Sequence, residues 1–291
     1  MALQFQTIGL IGKLDAPTPN ELLLQLQEFL LSNGQQVLLE ASTASKLPGH
    51  QMEVADLGKI GRICDLAIVV GGDGTLLHTA RNLADYHVPL VGINLGRLGF
   101  LVDISPDEMV SKLTQIFAGH YQEDRRFLLH AEINGTTSTA FNDVVIHKWN
   151  TARMIEFETY IDGSFVDAQR SDGMIISTPT GSTAYALSGG GPLLAPDLNA
   201  TVIVPICPHT LSNRPLVVAG ESLIEVVVCG KTELEHVRVT CDGQTSLEVQ
   251  RKAIRIRKHH CPARLIHPPG HDHFKVLRNK LSWSGHPTYP K

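Results

Sequence analysis

Short continuous apolar runs alternate with helically spaced apolar residues over the first 120 positions of the chain. The runs, which have the form of buried strands, are residues 5–11, 36–39, 66–70 and 88–93. The helical patterns are residues 17–31, which Asn33-Gly34 closes, and residues 76–83. Because strand–helix–strand alternation produces a parallel sheet with helices on its faces, residues 1–125 are predicted to form an α/β domain.

The pattern changes near residue 126, after which one strand-like run follows another with little helix. The predicted strands are residues 127–133, 140–147, 154–161, 164–168, 174–177, 201–206, 216–218, 222–228, 236–241, 246–249, 253–256 and 263–266. Asp162-Gly163 and Asp242-Gly243 are hairpin signals between alternating runs. Residues 126–268 are therefore predicted to form an all-β antiparallel, sandwich-like domain. The remaining segment, residues 269–291, is predicted to contain a helix that packs back on the first domain.

Composition and charge narrow the range of partners. The 291 residues carry 25 Lys and Arg against 29 Asp and Glu, a net charge of −4. This balance lacks the basic footprint of a general nucleic-acid binder. No apolar run approaches the roughly 20 residues of a membrane-spanning helix, and the N-terminus lacks the basic region and cleavage site of a signal peptide. We therefore expect a cytoplasmic protein with no nucleic-acid and no membrane partner.

Cysteine and histidine content raises the question of disulfides and metals. The five cysteines are scattered in or beside apolar runs without a Cys-x-x-Cys pair, where a reduced cysteine behaves as a small hydrophobe. Two groups among the 14 histidines, His259-His260-Cys261 and His271-Asp272-His273, contain metal-ligand residue types. No second ligand pair has the spacing of a zinc site, so neither a disulfide framework nor a protein-held metal is predicted.

The sharpest chemical feature is the glycine turn between a predicted strand and a predicted helix, formed by Gly71, Gly72, Asp73, Gly74 and Thr75. Glycines let the backbone approach a ligand closely, and a helix N-terminus favours phosphate. An ordinary strand-to-helix turn would explain the glycines but not the aspartate, because phosphates repel a carboxylate unless it binds a metal or takes a proton. The chain has neither a P-loop nor a Gly-x-Gly-x-x-Gly motif, so the turn predicts a different phosphate site in which Asp73 does chemistry.

A second polar stretch, residues 172–192, surrounds the strand predicted at 174–177. It contains the block Thr-Pro-Thr-Gly-Ser-Thr-Ala-Tyr (178–185) and three successive glycines. Hydroxyls and N–H groups at such a turn suit ribose and phosphate oxygens, and Tyr185 offers a ring on which a base can stack. Either Ser182 or Thr183 can cap a short helix through Tyr185 and Leu187. A Ser/Thr-rich surface loop with a good cap is the alternative, and the stretch alone does not decide between them.

Four further residues carry weaker signals. The polar pair Asn142-Asp143 stands directly before an apolar strand, where such a pair is often only a turn. Arg153 and Arg170 are, by residue type alone, more typical of solvated surface side chains than of ligand contacts.

Taken together, these motifs closely resemble the NAD kinase family over nearly the whole chain. Three more runs share the resemblance: Gly-Ile-Asn-Leu-Gly-Arg-Leu-Gly-Phe (92–100), Arg-Ser-Asp-Gly (170–173) and Pro-His-Thr-Leu-Ser (208–212). Diacylglycerol and sphingosine kinases carry a similar glycine turn, so it is the 178–185 block beside the Asn–acid pair that points to NAD kinase. The resemblance implies ATP-dependent phosphorylation of the adenosine 2′-hydroxyl of NAD to give NADP. It also implies Mg²⁺ or another divalent cation carried by ATP, and a homodimer or homotetramer.

Carried over position by position, the resemblance makes Asp73 the general base and Gly74 an adjacent binding residue. Asn142 and Asp143 match the pair on the ribose and adenine side of the dinucleotide, where the family usually has Asn-Glu, so the carboxylate here is one methylene shorter. The other matched nucleotide contacts are Arg153, Arg170, Asp172, Thr183, Ala184, Tyr185, Ala186, Leu187, Ser188 and Gln244. The glycine turn and Mg²⁺ would neutralise the ATP phosphates while Asp73 accepts the hydroxyl proton.

Two other functions use part of this residue set. A lipid kinase of the diacylglycerol type shares the glycine turn but needs an apolar substrate groove or a membrane face, which the sequence does not indicate. A non-catalytic NAD-binding regulator would keep the nucleotide loops but would not need Asp73. Titration with NAD, followed by a 2′-phosphorylation assay with ATP, separates the three.

Overall fold

The computed structural model describes residues 4–12, 19–96, 99–249 and 253–283 of the chain. The chain divides into two compact units, the first formed by residues 1–124 with 264–291 and the second by residues 125–263. Three predicted features extend outside the described residues: the start of the helix predicted from residue 17, Arg97-Leu98 in the run 92–100, and the end of the C-terminal segment from residue 284.

Strands and helices are labelled in chain order through both units. The strands are β1 (Thr7–Gly12), β2 (Gln36–Glu40), β3 (Glu53–Ala55), β4 (Leu66–Gly71), β5 (Leu90–Asn94), β6 (Gln122–Arg126), β7 (Leu129–Ile133), β8 (Thr136–Ala140), β9 (Asp143–Lys148), β10 (Ile155–Ile161), β11 (Ser164–Ser171), β12 (Gly173–Ser177), β13 (Ala200–Ile206), β14 (Leu216–Ala219), β15 (Ile224–Val228), β16 (Val237–Cys241), β17 (Thr245–Glu248), β18 (Ala253–Lys258) and β19 (Ala263–His267). The α-helices are α1 (Pro19–Ser32), α2 (Ala41–Ala44), α3 (Leu57–Ile63), α4 (Asp73–Leu83), α5 (Met109–Phe117), α6 (Tyr185–Ser188) and α7 (His273–Lys280). Short 3-10 turns are Ala84–Tyr86, Pro106–Glu108, Thr180–Thr183 and Leu234–His236.

The first unit is built on a sheet with the strand order β3-β2-β1-β4-β5-β19-β6. Neighbours from β3 through β19 pair in parallel. All six residues of the apolar run in β4 are buried, as expected of a parallel strand covered on both faces. The core of the first unit includes Leu10, Leu26 and Ile68, each with no exposed surface. The predicted α/β fold with a parallel sheet is therefore confirmed.

The second unit contains two antiparallel sheets, ordered β11-β10-β15-β18-β7-β8 and β14-β13-β12-β9-β16-β17. Inward-facing residues of both sheets, among them Phe157 of the first and Ile146 of the second, form one core. Asp162-Gly163 and Asp242-Gly243 have the left-handed backbone that tight hairpin turns require, with φ of 49° and 78° in the first pair and 53° and 62° in the second. The predicted sandwich and both predicted hairpin turns are therefore confirmed.

One predicted boundary is wrong in detail. Residues 263–268 were assigned to the sandwich, but β19 pairs with β5 in the parallel sheet of the first unit. A five-residue apolar strand has the same sequence pattern in either kind of sheet, so the pattern could not identify its partner. No helix within the described parts of the chain is long and apolar enough to cross a membrane.

Candidate active site

The glycine turn carries the chain from the end of β4 into α4. Gly72 is extended and precedes the helix, and Asp73 is the first helical residue. A side chain at Gly71 would meet the side chain of Thr75, so this position requires glycine. The helix was predicted to begin near Leu76, but it starts three residues earlier because Leu76 and Thr75 already donate backbone N–H bonds to the Gly72 carbonyl. Asp73 therefore lies at a helix N-terminus, where the helix dipole favours a negative charge.

Three backbone N–H groups hold the carboxylate of Asp73. Phe100 donates to Oδ2 at 2.8 Å, and Leu101 and Val102 donate to Oδ1 at 3.1 and 3.2 Å. A Cβ atom at Gly99 would overlap the same carboxylate, so glycine at this position lets the backbone come close enough to donate. Since a carboxylate has about four acceptor positions, one position, on Oδ2, has no donor among the described residues and can accept a further one, such as a hydroxyl group.

The second unit has a cavity of about 590 Å³ along the outward face of β9 and β16. Val144 and Ile146 of β9 point into the sandwich core, so the alternation of the strand turns Asp143, Val145 and His147 to the other face. The residues that line the cavity are Asn142, Asp143, Val145, His147, Lys148, Asp172, Ala184, Tyr185, Ile206, Thr240, Asp242 and Gly243. Five of them were predicted as site residues: Asn142, Asp143, Asp172, Ala184 and Tyr185.

Asp143 and Asp242 form an unusual pair at one end of this cavity. Asp242 accepts the backbone N–H groups of Phe141, Asn142 and Asp143 at 2.9, 2.7 and 3.1 Å. Asp143 is only 4% exposed, and its burial, together with the nearby charge of Asp242, raises its pKa to about 7. The Asp143 carboxyl can therefore either donate or accept a hydrogen bond near neutral pH. Asp242 was predicted only as a turn residue; its second role depends on a contact with residues about 100 positions earlier.

A single ion pair fixes the other acidic residue of the cavity. Lys148 Nζ lies 2.8 Å from Asp172 Oδ1, and both side chains remain partly accessible. Lys148 was not predicted, because a lysine at the end of a strand carries no signal of its own in the sequence. The described residues give the second oxygen of Asp172 no further partner, so this oxygen can accept a hydrogen bond from a ligand.

The hydroxyl-rich stretch folds onto the outside of the sandwich, but not by the predicted cap. The Ser182 hydroxyl donates to the Pro179 carbonyl at 2.6 Å and accepts the Leu194 N–H at 3.0 Å. Ala184 precedes α6 without a side-chain cap, so the expectation that Ser182 or Thr183 caps this helix is wrong: the buried Ser182 hydroxyl is already bonded to its own loop. Ala186 is fully buried against Val145, whereas Tyr185 is 48% exposed at the cavity.

The predicted arginines lie elsewhere in the same unit. Arg153 and Arg170 line a second cavity, of about 510 Å³, together with Glu156, Lys231 and Glu233. Arg170 and Asp172 line different cavities although they are two residues apart, because β11 belongs to the first sheet and β12, which begins at Gly173, belongs to the second. Of the remaining predicted contacts, Thr183, Leu187, Ser188 and Gln244 are absent from the described lining of both cavities.

Comparison with known proteins gives a consistent picture. Residues 8–121 match the ATP-NAD kinase N-terminal domain and residues 141–268 match the ATP-NAD kinase C-terminal domain. The chain is 49% identical to the NAD kinase of Nitrosococcus oceani over 289 residues, which cover 97% of this chain and 98% of that protein. It is also 49% identical to the NAD kinase of Methylococcus capsulatus over 290 residues, 98% of this chain and 99% of that protein.

Two solved structures resemble the fold. The NAD kinase of Archaeoglobus fulgidus, in complex with ATP, has a TM-score of 0.77 at 27% identity and covers 96% of this chain and 100% of its own. Yeast NADH kinase complexed with NADH has a TM-score of 0.83 at 24% identity, covering 99% of this chain and 94% of its own. The second likeness concerns the fold alone.

Proposed function

This chain belongs to the NAD kinase family and phosphorylates NAD to NADP with ATP, and on that premise we propose which of its residues perform the reaction. The cavity along β9 and β16, referred to below as the β9 cavity, binds the nucleoside portion of NAD. Asp73 accepts the proton of the adenosine 2′-hydroxyl as the phosphoryl group is transferred. The glycine turn, Gly71 to Thr75, contacts the phosphates of ATP.

The observation that supports the β9 cavity as the nucleoside site is its chemistry. Three carboxyl groups, those of Asp143, Asp172 and Asp242, line it beside the apolar side chains of Val145 and Ile206. Carboxylates accept hydrogen bonds from ribose hydroxyls and base amino groups but repel phosphate, and apolar walls suit a purine ring. Tyr185, exposed at the rim, offers a face for stacking, and Asn142 supplies an amide that can both donate and accept.

Transfer of the γ-phosphoryl group depends mainly on positioning and charge stabilisation, because its transition state is loose. Asp73 does not need to move to act. Its carboxylate is already oriented by the N–H groups of residues 100–102, and the unused acceptor position on Oδ2 can take the hydroxyl proton. A well-placed general base contributes about 10²–10⁴-fold to the rate.

Magnesium enters, in this proposal, with the substrate as Mg-ATP. Asp73 belongs to none of the groups of three His, Cys, Asp or Glu side chains that could hold a metal within the described parts of the chain. Three of its acceptor positions are also occupied by backbone N–H groups. These residues therefore suit a cation that is held by the ATP phosphates and would neutralise the charge of those phosphates. Asp73 is then available for proton transfer.

The remaining parts of the proposal rest on the family resemblance. Arg153 and Arg170 are assigned to NAD binding, as are the backbone and side chains of residues 183–188 and Gln244. We propose a cytoplasmic homodimer or homotetramer. The edge strands β11 and β14 expose the apolar side chains of Phe165 (57%) and Val217 (44%), and an uncovered apolar sheet edge is a liability that assembly removes.

The test is the Asp73→Asn variant, which keeps the size of the side chain and one acceptor oxygen. At saturating NAD and Mg-ATP its turnover should fall at least about 10²-fold while the NAD dissociation constant changes little. Asp107→Asn, a change of an exposed aspartate, is the matched control and should leave both quantities unchanged. Turnover of Asp73→Asn within a few-fold of the parent protein would refute the assignment, and a collapse of NAD affinity would make Asp73 a binding residue.

A further inference from the structure

A buried group of three titratable side chains lies directly beside the segment that holds Asp73. Asp103 follows Val102, the last of the three N–H donors, and its Oδ2 atom lies 2.9 Å from His267 Nδ1 and 2.8 Å from His271 Nδ1. The side chains of Asp103, His267 and His271 are 16%, 2% and 11% exposed. The two imidazole rings stack at 3.8 Å between centroids and 17° between planes. Two histidines from the end of the chain therefore converge on one carboxylate oxygen.

The polar interactions of these histidines point only to Asp103. Each Nδ1 atom is at hydrogen-bond distance from the same oxygen, and each Nε2 atom is buried and lacks a hydrogen-bond partner among the described residues. Burial by itself would raise the pKa of Asp103, but the hydrogen bonds and charge of His267 and His271 lower it to about 2. Asp103 is therefore an anion at neutral pH, and its hydrogen bonds to the two imidazoles are of the stronger, charge-assisted kind.

The segment between Gly99 and Ile104 needs such an anchor. This segment is not part of a strand. Among the described residues, its backbone is tied to β5 at Ile104, whose carbonyl accepts the Asn94 N–H at 2.8 Å. Between this tie and Gly99 stand the three N–H groups that bind Asp73. His267 is the last residue of β19, the neighbour of β5 in the sheet, so the bond from His267 to Asp103 fixes the segment to the sheet at a second point.

We propose that His267 and His271 are positioning residues for the reaction: by holding Asp103, they keep the N–H groups of residues 100–102 on the carboxylate of Asp73. The proposal rests on the assignment of Asp73 as the general base. Two histidines and an aspartate are also the residue types of a transition-metal site. The observations favour hydrogen bonding, because both imidazole nitrogens approach one and the same oxygen at distances typical of N–H···O bonds.

The experiment compares two substitutions of His271. His271→Phe keeps a ring to stack on His267 but removes the donor, whereas His271→Asn keeps an amide N–H close to the place of Nδ1. The phenylalanine variant should lower kcat about 10- to 100-fold with KM for NAD within about twofold, because the reacting group is displaced and the substrate site is not. The asparagine variant should recover most of the lost rate.

Each variant is also combined with Asp73→Asn. If His271 acts through Asp73, the double variant should be no slower than Asp73→Asn alone, within about twofold. The proposal is overturned if the kcat losses of the two single variants multiply in the double variant. It is also overturned if a folded His271→Phe protein has normal kcat. Asp103→Asn, which keeps an acceptor but loses the charge, serves the same comparison if His271→Phe does not fold.

Two further outcomes are distinguishable. If Asp73→Asn alone is as fast as the parent protein, the proposed role of Asp73 as the general base fails. If Asp73→Asn is slow but His271→Phe is normal, only the positioning role fails. One equivalent of a transition metal found by elemental analysis in the purified protein, and absent from His271→Phe, would overturn the hydrogen-bonded arrangement in favour of a metal site.

Discussion

Replacing Asp143 with asparagine should stabilise the protein, and the gain should grow as the pH rises. In the folded protein the pKa of Asp143 is raised from 3.8 to about 7 by burial and by the charge of Asp242. Between these two pH values the folded chain retains a proton that the unfolded chain has released, so the free energy of unfolding falls as the pH rises through this range. Asparagine cannot ionise and does not incur this loss.

The size of the effect follows from the shift. A change from 3.8 to about 7 corresponds to about 4 kcal/mol, at about 1.4 kcal/mol for each pKa unit. Part of this loss of stability occurs below pH 5, and part of the remainder belongs to the interaction of Asp143 with Asp242. We therefore expect the stability advantage of Asp143→Asn over the parent protein to increase by about 2 kcal/mol between about pH 5 and pH 8.

The assay is urea unfolding of both proteins at a series of pH values, with stability taken as the difference between them at each pH. Groups whose pKa is lowered by folding, such as Asp103, lose their stabilising effect only as the pH falls towards acid values, and they cancel in the difference. Asp107→Asn is the control for the loss of one negative charge. A difference that is flat across the pH series, or that shrinks as the pH rises, would refute the assignment of a raised pKa to Asp143.

Three other predictions concern Gly99, Arg170 and the oligomeric state. Gly99→Ala should lower kcat about tenfold or more at unchanged NAD affinity, because the added methyl group displaces the Asp73 carboxylate. The control is Gly96→Ala, where a methyl group would meet open space. Equal kcat in the two variants would contradict this role of Gly99. Arg170→Ala should weaken NAD binding in isothermal titration, and an unchanged dissociation constant would remove Arg170 from the site. Light scattering at micromolar concentration should give a multiple of the 31.8 kDa chain mass, and the mass of a single chain would exclude the proposed oligomer.

Local patterns in the sequence predicted much of the fold because they reflect burial directly. The run in β4 is continuous and apolar because both faces of that strand are covered. β7 alternates instead, with Leu129, Ala131 and Ile133 buried, because only one of its faces enters the sandwich core. Other elements were missed where local signals are weak. β3 has three residues and β6 is almost entirely charged, and the turn at Asn134-Gly135, with φ of 57° and 82°, went unrecognised between β7 and β8.

The candidate site also contains residues that the sequence singles out and residues that it does not. Asp73, Asn142 and Tyr185 stand in motifs whose composition is unusual for a turn, so they could be identified from the sequence. The groups that orient these side chains could not be identified from the sequence, because they belong to no motif and come from distant positions in the chain. The backbone of residues 100–102 reaches Asp73 across 27 to 29 positions, and His267 reaches Asp103 across 164. Ala186 stands in the same motif, and its side chain is buried with Val145 and Ile175, which the composition of the motif did not indicate.

If Asp73 takes the hydroxyl proton during phosphoryl transfer, its replacement must slow the chemical step itself, and a single-turnover measurement isolates that step. Enzyme in excess over γ-labelled Mg-ATP, at saturating NAD, is quenched at successive times, so that product release does not mask the chemical step. Asp73→Asn should form labelled NADP at least about 10²-fold more slowly than the parent protein while it binds NAD equally well. Equal single-turnover rates in the two proteins would contradict it.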